Sequence, residues 1–222
     1  MTKTRGFTLI EVMVTLVILM FGLLGLAGLI VKGHRAVYEA YQRYQALTLG
    51  NELAERIKSN QAMLASSTIV PGTSDNLSIA NLYAAGAPLA TPLGDPGTAA
   101  KWNALTVGHT IPDCGAVICT RQNLVDYDLG VWEGQLLGVA ETRGISNIGG
   151  IINARSCVEG PLAAPSPPNT YRVSVSWQGE MPTTTPTSSN CGIGLYVNAA
   201  TGAVDDATRR VVSIDVTIFV PL

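Results

Sequence analysis

The stretch Arg5-Gly6-Phe7-Thr8-Leu9-Ile10-Glu11 opens an apolar run that continues to Val31. As an α-helix, the roughly 25 residues of this run would extend for about 37 Å, which exceeds the roughly 30 Å core of a bilayer. Glu11 interrupts the run in its first turns, and a charge placed at mid-bilayer costs about 3 kcal/mol or more. The stretch therefore predicts a membrane helix with one carboxylate that needs a partner.

A cut between Gly6 and Phe7 would supply that partner. The new α-amino group of Phe7 would be a cation one helical turn from Glu11, in the same chain or in a neighbouring copy. Two alternatives stay open. One is an ordinary single-pass anchor with an incidental glutamate, and the other is a conventional signal peptide cut near Ala27. The second fits less well, because a signal peptide has a shorter apolar core and its cleavage site follows that core.

The motif from Gly6 to Glu11, preceded by a short basic leader, resembles the class III signal of type IV prepilins and pseudopilins. The resemblance implies that a prepilin peptidase cleaves after Gly6 and methylates the new N-terminal Phe7. It also implies that Glu11 docks the subunit into a helical filament. Its implied fold is the α+β pilin fold, in which a long N-terminal helix packs on an antiparallel β-sheet.

The basic residues before the apolar run predict the orientation of the chain. Lys3 and Arg5 are not accompanied by any acidic residue, so the N-terminus is expected in the cytoplasm and the part after Val31 on the other side of the membrane. Four segments follow from this: a leader at 1–6, a transmembrane and filament-core helix at 7–31, an amphipathic helix half at 32–66 and a periplasmic globular domain at 67–222. The predicted locations are the inner membrane and the extracellular pilus.

Composition excludes some functions and restricts others. The net charge is −2 and only 14% of the residues are charged, which argues against nucleic-acid binding by a basic surface. Four cysteines in an oxidising compartment allow three disulfide pairings. The favoured pairing joins Cys114 to Cys119 in a small loop and leaves Cys157 for Cys191. A zinc site is the alternative, but the spacing is uneven and no histidine is near.

The outer half of the long helix is predicted to be amphipathic and to end near Ser66, because no proline occurs before Pro71. Its apolar stripe is expected to need a sheet as cover. The predicted members of the stripe are Val37, Ala40, Tyr44, Leu47, Ala54, Ile57 and Leu64, and the residues predicted to lie mostly off it are Arg35, Gln42, Arg43, Glu52, Arg56 and Lys58.

Prolines and helical periodicity divide the rest of the chain. Residues 66–100 contain four prolines and are predicted to be a long loop, the αβ-loop of the pilin resemblance. A second helix is predicted from Thr120 to Arg143, with Trp132 in the core and Gly144 as its stop. Asp126 and Asp128 of this helix are expected to be solvated charges rather than a metal pair.

Three strands are predicted in an antiparallel meander. The first is Gly150–Glu159, the second is Tyr171–Trp177 and the third is Val212–Val220. The second alternates strictly between apolar and polar residues. The two connecting segments, 161–168 and 181–190, contain too many Pro and Thr residues to be strands.

No catalytic, cofactor or metal signature is found. His109 has no recognisable serine partner for a hydrolase site, and Gly192-Ile193-Gly194 lacks the third glycine of a dinucleotide turn. The Asp205-Asp206 pair is a candidate calcium turn, although a hydrated turn is the commoner role. We therefore expect no enzymatic activity and no cofactor.

Several segments together resemble the PilV-type minor pilins: residues 21–29, 49–60, Tyr127-Asp128-Leu129 with Trp132, and 171–177. The resemblance implies a low-abundance pilus subunit that primes assembly and lies near the filament tip. Its implied partners are the prepilin peptidase, other minor pilins, the major pilin and a tip adhesin. The alternatives are a minor pseudopilin of a type II secretion system, a membrane-anchored binding domain and a membrane-tethered enzyme.

Overall fold

The computed structural model describes residues 6–63, 75–95, 99–144, 146–198 and 201–218. The chain divides after Tyr41 into two units, and each is described here by itself. The helices are α1 (Leu9–Met63), α2 (Asp75–Gly86), α3 (Ala100–Thr106) and α4 (Arg121–Leu137). The strands are β1 (Thr142–Arg143), β2 (Ser146–Asn147), β3 (Arg155–Glu159), β4 (Thr170–Gln178) and β5 (Arg209–Thr217).

The main sheet has the order β3-β4-β5, and both of its pairings are antiparallel. Tyr171, Val173, Val175 and Trp177 of β4 are buried on the face that forms the core. On the same face Val173 lies opposite Val158 of β3 and Ile214 of β5. The predicted meander and the α+β fold class are therefore confirmed: a long N-terminal helix packs on a three-stranded antiparallel sheet, as in the pilin fold.

The second part of α1 packs against this sheet at Gly50. A Cβ built on Gly50 would lie 2.8 Å from Cδ1 of Ile214 and 3.9 Å from Cγ2 of Val175, so the helix backbone approaches the sheet directly. Trp132 of α4 packs beside it and donates from Nε1 to the carbonyl oxygen of Leu49 over 2.9 Å. Trp132 is fully buried, as predicted.

The predicted apolar stripe of α1 is wrong in its first half. Val37 and Tyr44 are 69% and 68% exposed, whereas Gln42, placed off the stripe, is only 4% exposed. The Oε1 atom of Gln42 accepts the backbone N–H of Ile152 over 3.0 Å, and this hydrogen bond lowers the cost of burying the amide. Apart from the adjacent pair Leu53 and Ala54, successive buried positions lie three or four residues apart: Gln42, Ala46, Gly50, Leu53, Ala54, Ile57 and Asn60. Leu64 and the predicted helix end at Ser66 lie outside the described residues.

The segment predicted as a long loop contains helical structure. Helix α2 occupies Asp75–Gly86, between Pro71 and Pro88, and α3 begins at Ala100. Two prolines leave room for a helix of three turns between them, and burial stabilises this one: Ile79, Ala80 and Tyr83 are at most 1% exposed.

The predicted second helix starts correctly and ends too late. Thr120 caps α4, because its side chain accepts the N–H of Asn123, and Gly138 rather than Gly144 terminates it. Gly138 has φ 63°, and a Cβ added there would lie 1.9 Å from the nitrogen of Gly150. The chain following Gly150 therefore occupies the space that a longer helix would need, and Val139 falls outside α4.

The first predicted strand also begins later than expected. Residues from Gly150 to Ala154 form turns, and β3 starts at Arg155. The N–H of Ile151 donates to the carbonyl oxygen of Leu136 over 3.2 Å, and Asn153 has a positive φ of 47°. This segment therefore caps the end of α4 before the chain can enter the sheet. The third predicted strand corresponds to β5, and its last predicted residue, Val220, lies outside the described residues.

Candidate functional site

The N-terminal segment is the candidate functional site, and its backbone changes character at Thr8. Gly6, Phe7 and Thr8 precede α1, which begins at Leu9. The carbonyl oxygen of Thr8 accepts the N–H groups of Glu11 and Val12 over 3.1 and 3.3 Å, which closes the first turn. Glu11 thus lies in the first turn of a 55-residue helix, where the helix dipole favours a negative charge.

The apolar side chains of this segment are exposed. Phe7 is 85% exposed, and each large apolar side chain from Leu9 to Val31 is about half exposed or more. The Glu11 carboxylate makes no ion pair within the described part of the chain. Full burial of such a side chain is more favourable than exposure to water by about 1.5–3 kcal/mol. Such a surface requires cover by lipid or by protein.

Helix α1 has the length and composition of a membrane span. An 18-residue window within Leu9–Asn60 has a mean hydropathy of 2.7, and none of that window is buried. Among the described residues, α1 is the one helix of this kind. Because the span lies near the N-terminus, its length and composition also fit a signal sequence. The sequence motif at the start of the chain is needed to distinguish a membrane anchor from a signal sequence.

Comparison with known families supplies that distinction. Residues 1–27 match the family described as the prokaryotic N-terminal methylation motif. No curated protein matches the chain significantly, and no solved structure does either. The motif and the long apolar helix support a type IV pilin-like protein, and they fit a membrane-anchored one. The motif also favours a structural protein.

Asp205 and Asp206, the pair considered for calcium binding, make structural contacts. Asp205 accepts the N–H of Ala207 over 2.9 Å and caps a short 3₁₀ turn, and Asp206 accepts the N–H of Gly194 over 2.9 Å. His109 lies in the segment after α3 with a positive φ of 45°. Among the described residues, no group of three His, Cys, Asp or Glu side chains has the geometry to hold a metal ion.

Asp128 corrects the prediction of a solvated charge. It is 6% exposed and lies in a polar cluster between α1, α2 and α4. Its Oδ1 accepts from Arg56 Nη1 over 3.0 Å, and its Oδ2 accepts from Asn60 Nδ2 over 2.7 Å and from the hydroxyl of Tyr83. Burial and the charge of Asp128 raise the pKa of Tyr83. A paired carboxylate thus joins three helices. Asp126, by contrast, forms an ion pair with Lys101.

Glu133 is a structural residue that the sequence analysis missed. It is 1% exposed, and its carboxylate accepts three backbone N–H groups, from Gly94 over 3.0 Å, Lys101 over 2.8 Å and Trp102 over 2.9 Å. Ala99, which precedes α3, has no side chain that can cap a helix. Glu133 therefore caps α3 from a neighbouring helix. Glu133 lies four residues after the core residue Leu129 and therefore on the same, apolar face of α4. This spacing could have indicated a buried glutamate with a partner, since a charge on an apolar face needs one.

The four cysteines form two disulfides, Cys114–Cys119 and Cys157–Cys191, which is the pairing that the sequence favours. The second bridge lies on the face of the sheet opposite the core. Cys157 lies opposite Ser174 in the β3–β4 register, so the bridge brings the segment around Cys191 over that outer face. This cover explains why Ser174 and Ser176 are fully buried, although their alternation with apolar residues suggests a solvated face.

Arg209 attaches the same segment to the sheet from β5. Its guanidinium is fully buried and donates to the carbonyl oxygens of Ser189 over 2.8 Å, Cys191 over 3.1 Å and Pro186 over 2.8 Å. A bridge and a buried arginine thus fix the long connection between β4 and β5. The disulfide uses the sulfur of Cys191, and Arg209 donates these hydrogen bonds to backbone carbonyl oxygens of the connection. Neither the disulfide nor these hydrogen bonds therefore use the exposed side chains of the connection.

Proposed function

We propose that this chain is a minor subunit of a type IV pilus. The observation that carries the proposal is the N-terminal methylation motif, whose cleavage residue Gly6 and acidic residue Glu11 bracket the start of an exposed apolar helix. The PilV-type assignment and a location near the filament tip are supported by the resemblance of the segments at 21–29, 49–60 and 171–177. Other minor pilins, the major pilin and a tip adhesin are the proposed neighbours.

The proposed mechanism begins at the inner membrane. With Lys3 and Arg5 on the cytoplasmic side, the second unit lies in the periplasm. A prepilin peptidase cleaves after Gly6 and the new N-terminus of Phe7 is methylated. The amine remains a cation after methylation, so it can pair with Glu11 of a neighbouring subunit and set the axial register. In the filament the apolar side chains from Phe7 to Val31 exchange lipid for neighbouring subunits, so close packing between helices, together with the ion pair at Glu11, holds the subunits together.

Substitution of Gly6 tests the processing step. We expect Gly6→Val to leave a precursor that is longer by residues 1–6, seen by intact mass spectrometry of the membrane fraction. Gly33→Val is the matched control, because Gly33 also has open space around its Cα but lies outside the motif, and it should be processed normally. Normal processing of Gly6→Val, or a native chain that starts at Met1 or after Ala27, would contradict the proposal.

Substitution of Glu11 tests docking separately from processing. We expect Glu11→Ala and Glu11→Gln to be inserted and cleaved but lost from sheared filaments. Thr15→Ala, which removes a hydroxyl that donates to the carbonyl oxygen of Val12 in its own helix, should be recovered as wild type. If Glu11→Ala is recovered in filaments at the wild-type level, the proposed docking role of Glu11 is wrong.

The type II pseudopilin alternative makes a different prediction in the same cells. If the chain serves a secretion system, its deletion should leave surface pili intact and stop export of secreted enzymes. The pilus proposal expects the opposite result, with fewer pili and normal export. Immunoblots of sheared pili and of culture supernatants measure both outcomes.

A further inference from the structure

A groove lies where helix α4 ends, and we call it the α4 groove. It has a volume of about 330 Å³ and is lined by Trp102 of α3, by Val131, Gly134 and Gly138 of the α4 end, and by Val139 and Glu141 beyond it. All of these residues belong to the second unit. The lining is mostly apolar and contains one ionisable side chain, a composition typical of sites that bind a small group.

Two glycines set an aromatic ring into the wall of this groove. A Cβ added at Gly134 would lie 2.5 Å from Cε3 of Trp102, so the indole rests directly on the α4 backbone. A Cβ at Gly130 would lie 3.1 Å from the carbonyl oxygen of Lys101, one turn earlier. The pair of glycines therefore lets α3 approach α4 closely. Trp102 is half-buried, and it is one of the residues that line the groove.

The groove is electrostatically negative. It lies at the C-terminus of α4, an end at which the helix dipole favours a positive group, and the last turn of α4 has no basic residue. Glu141 adds a full negative charge. Its side chain packs over Gly149, where an added Cβ would be 2.6 Å from Oε2. Within the described part of the chain, the Glu141 carboxylate makes no ion pair.

The basic residues nearest in the sequence do not neutralise this charge. Lys101 forms an ion pair with Asp126, on the part of α4 away from the groove. Arg143 of β1 is exposed and is not among the lining residues. The groove therefore combines an aromatic surface, a carboxylate and a helix C-terminus with no cation of its own among the described residues that line it.

We propose that the α4 groove binds the cationic side chain of a lysine or arginine that a partner polypeptide presents. The cation lies against the Trp102 ring and pairs with Glu141, two contacts that each favour a positive group. The alkyl part of the side chain packs on Val131 and Val139. This inference goes beyond the filament proposal and does not depend on it, because the groove needs neither leader cleavage nor assembly.

Tryptophan fluorescence of the full chain in a neutral detergent tests the proposal. The chain has three tryptophans, and Trp132 and Trp177 are at most 3% exposed, so a ligand-induced change reports on Trp102. The probe is acetylated tetralysine amide. We expect a saturable change that weakens as salt rises from about 0.05 to 0.3 M, and none with acetylated tetraglutamate amide. An equal response to tetraglutamate would overturn the proposal.

Two variants and a charge control complete the test. Glu141→Gln should weaken tetralysine binding about threefold to fivefold, as expected for one exposed ion pair. Trp102→Leu should remove the fluorescence response and weaken binding measured by calorimetry. Glu55→Gln removes one exposed carboxylate that pairs with Lys58 on α1, and it should bind as wild type. If Glu141→Gln binds as tightly as wild type, or if Glu55→Gln loses as much affinity as Glu141→Gln, the groove is not the site.

Discussion

The two parts of α1 on either side of Tyr41 differ in what their apolar side chains contact. Between Leu9 and Val31 the large apolar side chains are exposed, whereas Ala46, Leu53 and Ile57 are at most 1% exposed. Both parts are regular helix, so helix propensity does not distinguish them. The second part builds the core of its own unit, and the first carries apolar surface that its own unit leaves uncovered. One helix thus contributes to a folded core in one part and presents exposed apolar side chains in the other.

The largest expected effect comes from a core substitution in the second unit. Trp132→Ala removes a fully buried side chain and its hydrogen bond to Leu49, and it should lower the free energy of unfolding by about 3–5 kcal/mol. Leu19→Ala, at a position 58% exposed, should change it by less than about 0.5 kcal/mol. Urea unfolding of the detergent-solubilised chain, followed by near-ultraviolet circular dichroism, measures both. Equal losses would mean that the first part of α1 also belongs to the folded core.

Titration of a buried tyrosine gives the next effect. Burial raises the pKa of Tyr196 to about 12, against an unfolded value of about 10. The neutral phenol is therefore favoured in the folded state, so its contribution to stability is complete below pH 10 and is lost as the pH rises towards 12. Two pKa units correspond to about 2–3 kcal/mol. Tyr196→Phe should reduce the alkaline loss relative to wild type in unfolding curves at pH 8, 10 and 11, and an unchanged alkaline slope would contradict this.

The same substitution, glutamate to glutamine, can be made in each unit, at Glu11 in the first and at Glu133 in the second, and its effect on stability can be compared directly. Glu133→Gln keeps the size but removes the charge that binds three backbone N–H groups, so it should cost about 1–3 kcal/mol. Glu11→Gln should leave the unfolding of the second unit unchanged. Chemical denaturation of both variants alongside wild type measures the difference. A stable Glu133→Gln protein would show that the cap of α3 is dispensable.

The features that the sequence predicts correctly are determined locally, whereas the features that it misses depend on contacts with distant residues. The three strands and the burial of Trp132 follow from local periodicity, which residues near in the chain determine, and the α+β class follows from the resemblance of the N-terminal motif to that of pilins. The burial of Gln42, Asp128 and Glu133 depends on partners between 31 and 110 residues away. A polar residue on an apolar stripe indicates that a partner exists, but it does not identify which backbone group or side chain fills that role.

The end of α4 illustrates the same limit. Gly138 and Gly144 are equally good helix stops by residue type, and both have positive φ. The difference arises because Gly138 contacts the backbone of Gly150, which returns to cap the helix. The candidate site is the reverse case. Its motif is contiguous, so Gly6, Phe7 and Glu11 can be identified without any tertiary contact.

The smallest effect concerns an exposed ion pair on the outer face of the sheet, where Asp215 of β5 accepts two hydrogen bonds from Arg172 of β4, over 2.7 and 2.9 Å. Those bonds lower the pKa of Asp215, which partial burial works to raise. A depressed carboxyl pKa contributes stability above the unfolded value of about 4, and this contribution is lost as the pH falls through the folded value. Because both side chains are partly exposed, the pair should contribute less than about 1 kcal/mol at pH 7.

Unfolding curves of Asp215→Asn and wild type at pH 7, 5, 4 and 3 test this pair. We expect the two proteins to differ at pH 7 and 5 and the difference to shrink as the pH falls below 4, because the wild-type carboxylate becomes protonated there. Glu55→Gln, which changes the net charge equally on an exposed helix pair, controls for the general effect of charge. A difference as large at pH 3 as at pH 7 would mean that Asp215 contributes through packing. In that case the outer face of the sheet would be a second core rather than a covered polar surface.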